Sequence, residues 1–451
     1  MSGDARTIVF FPEGAFGPTN NCAGIGRVLR ERGHRVVFIV EESFAGTLEA
    51  KGFEERTMRL SPAPPEPEVP GQFWKDFIRE TAPEFRKPTI EQLATFLEPT
   101  WRALVDGARY VDSRLREIFE ELAPDAIVED NVVGFAAVVT SGRPWARIMS
   151  CNPAEMLDPG LPPVFSGYPT GDRSAWPDFR AEYRRTHGGL WAAFDAFMRD
   201  AGAPALPDGP LGPSFIHESP FLNLYLCAAE ADYARSRPLR PTWHRLDSSV
   251  RPAEAPFQVP SALAPGAGGR DGALLYLSLG SLGSADVALM RRLVEVLSRT
   301  RHRVIVSKGP QADQFELAEN MWGAEYLPQT AILPLVDLVI THGGNNTITE
   351  CFDAGKPMIV LPLFWDQYDN AQRVDELGFG CRLPTYEFAE DELAAAIDRL
   401  LGNRVLADRL TTISTRIRAD PGTVKAADLI ERLAGTGEPV VERPSPTSRR
   451  S

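Results

Sequence analysis

The feature that most restricts the fold of this chain is a series of short, almost uninterrupted apolar runs at residues 8–11, 36–40, 126–128, 222–226, 274–279, 304–306, 338–340 and 358–361. Runs this brief and this apolar read as strands covered on both faces. Between them lie stretches of helical period, such as Val111, Leu115, Ile118, Phe119 and Leu122, which share one helix face. Strands alternating with helices specify parallel sheets flanked by helices, the doubly wound α/β class. At 451 residues the chain exceeds what one core organises, so two such domains are expected.

Residues 248–272 are rich in Pro, Ala and Gly, lack a sustained period, and lead straight into a new apolar run. They are expected to link an N-terminal domain, 1–247, to a C-terminal domain, 273–434. A second Pro-rich stretch, 61–71, reads as a surface loop, and 435–451 as a disordered tail. Open α/β sheets bind ligands at the carboxyl ends of their strands, so two of them define a shared cleft in which to look for chemistry.

Charge and cysteine usage exclude several function classes. The net charge is −13 and the basic residues are scattered, which argues against nucleic acid or an anionic membrane as partner. The cysteines, Cys22, Cys151, Cys227, Cys351 and Cys381, are odd in number and widely spaced, so neither a disulfide framework nor a zinc site is indicated. Cys22 and Cys151 read as packing groups. With neither a signal-peptide pattern nor an apolar stretch of spanning length, a soluble cytoplasmic protein is expected.

The densest constellation follows residue 326. Tyr326, Pro328 and Gln329 precede an apolar run that ends at Thr341 and opens onto His342, Gly343, Gly344, Asn345, Asn346, Thr347 and Glu350. A strand that turns through two glycines into a helix gathers backbone N–H groups and the positive helix end at one point, which suits a diphosphate. His342, Asn346 and Thr347 add side-chain donors, Glu350 can accept from ribose hydroxyls, and Gly355 closes the helix. After the run at 358–361 come Asp366 and Gln367, an acceptor and donor pair for sugar hydroxyls.

These elements, in this order and spacing, resemble the UDP-glycosyltransferase family of GT-B fold, including the bacterial macrolide and natural-product glycosyltransferases. The family pattern is an aromatic-x-Pro-Gln element, His-x-Gly with Asn-Ser/Thr and Glu, and then an Asp/Glu-Gln pair. The resemblance implies two Rossmann-like domains facing across a cleft, with Tyr326 and Gln329 near the base of a nucleotide sugar. His342 and Gly344, Asn345, Asn346 and Thr347 would hold the diphosphate, Glu350 the ribose, and Asp366 and Gln367 the hexose. The Gly-Ser turn at Gly280 and Ser281 resembles the family's second phosphate contact. The implied activity is inverting, metal-independent hexosyl transfer from a donor such as UDP-glucose to a small acceptor, with no separate cofactor. Glu350, suited to two ribose hydroxyls, favours UDP over dTDP. The N-terminal half also resembles the family around residues 29–36, where His34 reads as structural.

One position departs from the pattern. The family's basic histidine aligns with Pro18, which cannot accept a proton. The base is then Asp130 or Glu13, or the acceptor is an amine that needs none, or the chain binds nucleotide sugar without transferring it. His217 is a further candidate, and a sugar-nucleotide epimerase is a rival activity on the same fold. The Trp-, Phe- and Pro-rich segment 153–220 implies an apolar acceptor site.

Overall fold

The computed structural model describes residues 5–63, 80–209, 211–251, 256–266 and 271–442. Its N-terminal sheet contains β1 (Thr7–Pro12), β2 (Arg35–Glu41), β3 (Glu54–Met58), β4 (Ala126–Asp130), β5 (Trp145–Met149), β6 (Leu222–Leu226) and β7 (Trp243–Leu246). All are parallel, in the order β3-β2-β1-β4-β5-β6-β7. The second sheet contains β8 (Leu274–Ser278), β9 (Arg303–Ser307), β10 (Met321–Ala324), β11 (Leu338–Thr341), β12 (Met358–Val360) and β13 (Gly380–Arg382). It too is wholly parallel, in the order β10-β9-β8-β11-β12-β13. Two doubly wound domains are therefore present, and every apolar run in the sequence forms a strand.

Helices cover both faces of each sheet. In the first domain α1 (Phe16–Glu31) follows β1, α2 (Glu98–Leu122) precedes β4, and α3 (Trp176–Asp200) lies between β5 and β6. The stripe Val111, Leu115, Ile118, Phe119 and Leu122 is buried on α2, as its period predicts. In the second domain α4 (Asn345–Ala354) follows β11 and α5 (Gln367–Glu376) follows β12.

The chain then returns to its beginning. The last helix, α6 (Gly422–Thr436), puts Ala426, Ala427, Ile430 and Leu433 into one core with Ile8, Phe10, Cys22 and Ile25. Beyond it, the Val440 amide donates to the Phe221 carbonyl at 2.8 Å and the Glu442 amide to Pro241 at 2.8 Å. The expectation of a tail from residue 435 is corrected for 435–442, where burying Val440 and pairing two backbone amides order the chain; 443–451 lie outside the described residues. Within the expected linker, 252–255 and 267–270 lie outside the described residues, as does most of the loop at 61–71. Among the described residues no helix is long and apolar enough to cross a membrane.

Candidate active site

The carboxyl ends of the two sheets face each other across a cavity of about 620 Å³. Glu13, Asp130, Tyr326, Gln329, His342, Gly344, Asn345, Asn346, Thr347, Glu350, Asp366 and Gln367 all line it, and so does Pro18. The side chain of Ser281 lies outside the described residues, although its backbone forms the short helical turn Gly280–Gly283.

On the C-terminal wall, β11 ends at Thr341 and α4 begins after Gly344 with no side-chain cap. Its first amides therefore meet the cavity as free donors with the positive end of the helix behind them. Gly355, at φ 67°, ends the helix in the left-handed conformation. The His342 imidazole lies between Gly280 and Gly344: a Cβ on Gly280 would come within 2.8 Å of the ring and one on Gly344 within 2.6 Å. Burial depresses the His342 pKa to about 4, against a hydrogen bond to the Ser278 backbone, so the ring is neutral at physiological pH. It therefore presents the cavity with a dipole rather than a standing positive charge.

Several donor-site side chains are committed in ways their spacing did not predict. Gln329 Nε2 donates to Glu350 at 2.5 Å and to Thr347 at 3.2 Å, so it orients the carboxylate expected to hold the ribose. Burial raises the Glu350 pKa, partly offset by Gln329 and by Arg251, whose guanidinium lies 3.9 Å away. The amides of Asn345 and Asn346 were expected to bind phosphate, yet both reach across to the first domain. Asn345 Nδ2 donates to the carbonyls of Ser150 and Leu226, at 2.9 and 3.0 Å. Asn346 donates to the Gly17 carbonyl at 2.9 Å and accepts from Asn21 at 2.8 Å. What these residues offer an anion is their backbone N–H. Asp366 accepts from the Asn152 amide at 2.8 Å and from Asn370 at 3.2 Å through one carboxylate oxygen, and burial lifts it to about 7. Gln367 turns its carbonyl oxygen onto the Leu363 and Phe364 amides. Tyr326 stays 57% exposed at the cavity mouth, its ring centroid 6.5 Å from that of Phe16 in α1.

The N-terminal wall holds the carboxylates. Pro12 at the end of β1 is in register with Asp130 at the end of β4, and the Glu13 amide donates to the Asp130 carbonyl at 2.9 Å. Asp130 is 2% exposed, and its carboxylate accepts a short hydrogen bond from Ser150, which in turn accepts from Asn21 at 2.9 Å. Burial first, and then the neighbouring Glu13 charge, push Asp130 up to about 7; burial takes Glu13 to about 7 as well. Two coupled carboxyls that titrate near neutrality can hold or release a proton at working pH. His217 is buried against the Pro204 carbonyl at 2.9 Å and does not line the cavity. His34 is likewise occupied, with Glu431 at 2.9 Å and the Arg6 amide at 3.2 Å.

Sequence reasoning missed Ser150 and Glu155, both on the cavity wall just beyond β5. That strand carries Arg147 at its centre, so it gave no apolar run and its carboxyl end was not searched. Arg147 is buried there, held by Glu129 at 2.9 Å. Between the domains, Trp365 adopts φ 57° and packs against Trp101 and Phe165, which carries Asp366 toward Asn152.

Comparison with known proteins agrees with this geometry. Residues 291–433 match the family described as erythromycin biosynthesis protein CIII-like, C-terminal domain. The oleandomycin glycosyltransferase of Streptomyces antibioticus is 28% identical over 97% of this chain and 94% of its own length. Among solved structures, the glycotransferase of kitacinnamycin superposes with a TM-score of 0.68 at 23% identity, over 95% of this chain and 99% of that one. A glycosyltransferase of Streptomyces sp. SF2575, complexed with thymidine diphosphate, gives 0.61 at 17% identity over 95% and 99%. Paired parallel-sheet domains, an uncapped helix end facing the cleft, and these relatives along nearly the whole length lead to one conclusion: the chain has the GT-B fold and is similar to the natural-product glycosyltransferases.

Proposed function

We propose that the protein moves a hexose, with inversion, from a nucleotide diphosphate sugar to a hydroxyl group of a small, largely apolar acceptor. The observation that carries this reading is the opposition, across one cavity, of the uncapped α4 terminus and the Asp130–Glu13 pair. In the proposed step the acceptor hydroxyl passes its proton to the carboxylate pair while its oxygen attacks the anomeric carbon. The bond from that carbon to the diphosphate breaks, and the leaving charge falls on the α4 amides and His342. Phe96, Leu104, Val132, Met149, Phe364 and Trp365 give the acceptor half its apolar wall.

UDP-glucose is the proposed donor, because Glu350, held by Gln329, is suited to accept from two ribose hydroxyls. The structural relative with thymidine diphosphate makes dTDP-glucose the competitor to test. Incubation with either donor and a panel of aryl alcohols, read by mass increase and by the anomeric configuration of the product, tests donor, transfer and stereochemistry together. A retained configuration overturns the inverting mechanism. Binding of UDP without any sugar-sized adduct would favour a silent nucleotide-sugar-binding protein, although the near-neutral Asp130–Glu13 pair speaks for a base.

A further inference from the structure

The acceptor half of the cavity carries more carboxyl groups than proton removal needs. Besides Glu13 and Asp130, its wall includes Glu155, on the short turn Pro153–Met156 after β5. Glu155 Oε1 is buried and has no hydrogen-bond partner, while the Cys151 thiol bonds to the same carboxylate. The charges that bear on Glu155 are Asp366, just before α5, and Asp369 in α5, both of the same sign, and Arg147 from β5. Glu155 also acts on the phenol of Tyr183 in α3, which brings no charge.

Arg147 offsets part of this charge but spends its hydrogen bonds elsewhere. One guanidinium nitrogen is bound to Glu129 at 2.9 Å, another donates to the Asn131 carbonyl, and the side chain lies behind the cavity surface at 2% exposure. Of the basic residues on the wall, Arg251 faces Glu350 on the nucleotide side, and Lys51 is not among the groups that act on Glu155. Among the described residues no three metal-ligating side chains converge on one point.

We infer that the natural acceptor carries a basic nitrogen, distinct from the hydroxyl that is glycosylated, and that Glu155 Oε1 receives its N–H as an ammonium–carboxylate pair within the otherwise apolar acceptor cavity. The inference rests on the proposed function, since it takes this half of the cavity as the acceptor site. A buried, unpaired acceptor atom is costly, and a ligand ammonium is the partner that relieves the cost while leaving its apolar body to the surrounding wall. Burial and Asp366 together raise the Glu155 pKa to about 8 in the empty site. Pairing with a cation reverses that balance, so amine binding at pH 7.5 releases a proton to the solvent.

The test uses the full chain saturated with UDP and two aryl alcohols of matched shape, one with a tertiary dimethylamino arm and one with an isopropyl arm. A tertiary amine cannot compete as the glycosylated group and yield a neutral product, so it acts only as a handle. In calorimetry the amine twin is expected to bind the wild type about 10-fold or more tightly than the neutral twin, with proton release seen as a heat that depends on buffer ionisation. Glu155→Gln should bring the twins within about 2-fold and abolish the proton release while leaving the neutral twin's affinity unchanged. Glu155→Asp, which keeps the charge, should retain part of the preference. Equal affinity of the twins for the wild type overturns the inference with no variant needed, and so does a preference that survives Glu155→Gln. Transfer is scored separately: glycosylation of both twins without amine preference sinks this inference alone, and amine preference without transfer sinks the transferase reading alone.

Discussion

Replacing Asp130 by Asn separates the chemical from the structural cost of a buried base. Asparagine keeps the shape and can still accept from Ser150, but it can neither take a proton nor ionise. If Asp130 is the base, turnover of an alcohol acceptor should fall by about 10²- to 10⁴-fold. The wild-type kcat/KM should rise with pH and level off above about 7, where the Asp130–Glu13 pair has lost its proton, and the variant should lose that rise. Stability should move the other way. Burial shifts the Asp130 carboxyl from 3.8 to about 7, so the native state holds the proton more tightly than the unfolded chain. Wild-type stability therefore declines as pH climbs from the ordinary carboxyl range through about 7, and it stays reduced above that. The shift corresponds to about 4 kcal/mol, a ceiling because part of it is shared with Glu13. Asp130→Asn should then be more stable than wild type at pH 8, by up to about 4 kcal/mol, with the gap closing toward pH 4. Urea unfolding at both pH values, alongside rates with an aryl alcohol, decides the matter. A variant whose stability advantage over the wild type is no larger at pH 8 than at pH 4, with the rate profile intact, refutes the reasoning; loss of activity in Glu13→Gln instead moves the base to Glu13.

Four further outcomes are expected. His342→Ala should lower turnover about 10²- to 10³-fold in steady-state assays, and Gly280→Ala, whose Cβ would meet the imidazole at 2.8 Å, should displace the ring with a loss of similar size. Tyr326→Ala should weaken UDP binding about 10-fold by calorimetry if the exposed ring stacks on the base, and it should leave acceptor affinity unchanged. Arg147→Met should cost about 3–5 kcal/mol in chemical denaturation at pH 8, because Glu129 stays buried without its partner, and less at pH 6, where Glu129 can take up a proton.

What the sequence made legible follows the burial of each element. The eight apolar runs became strands because strands buried on both faces must be apolar. The five missed strands are β3, β7, β10 and β13, which form the four sheet edges, and β5. Edge strands need no continuous apolar run, as Glu54, Glu55 and Arg56 in β3 illustrate, and β5 hides its polarity in the Arg147–Glu129 pair. Within the site, spacing located the α4 terminus and both carboxylates, since strand ends and helix starts are local features. The bonds of Asn345 and Asn346 to the opposite domain were not legible: their partners Gly17, Asn21, Ser150 and Leu226 lie more than a hundred residues away in sequence.

The return of α6 to the first domain has a consequence for how the protein is made. The surface it covers, formed by Ile8, Phe10, Ile25 and Leu224, is synthesised before the second domain, while Ile430, Leu433 and Val440 follow that domain. While the second domain is being synthesised the first domain carries an open apolar face, a hazard for association with other nascent chains. Its final stability is set only after the second domain has emerged, so the two halves mature as one unit rather than in sequence. A stop codon placed just before residue 422 would spare every residue on the cavity wall, yet leave that face uncovered and the product prone to aggregate.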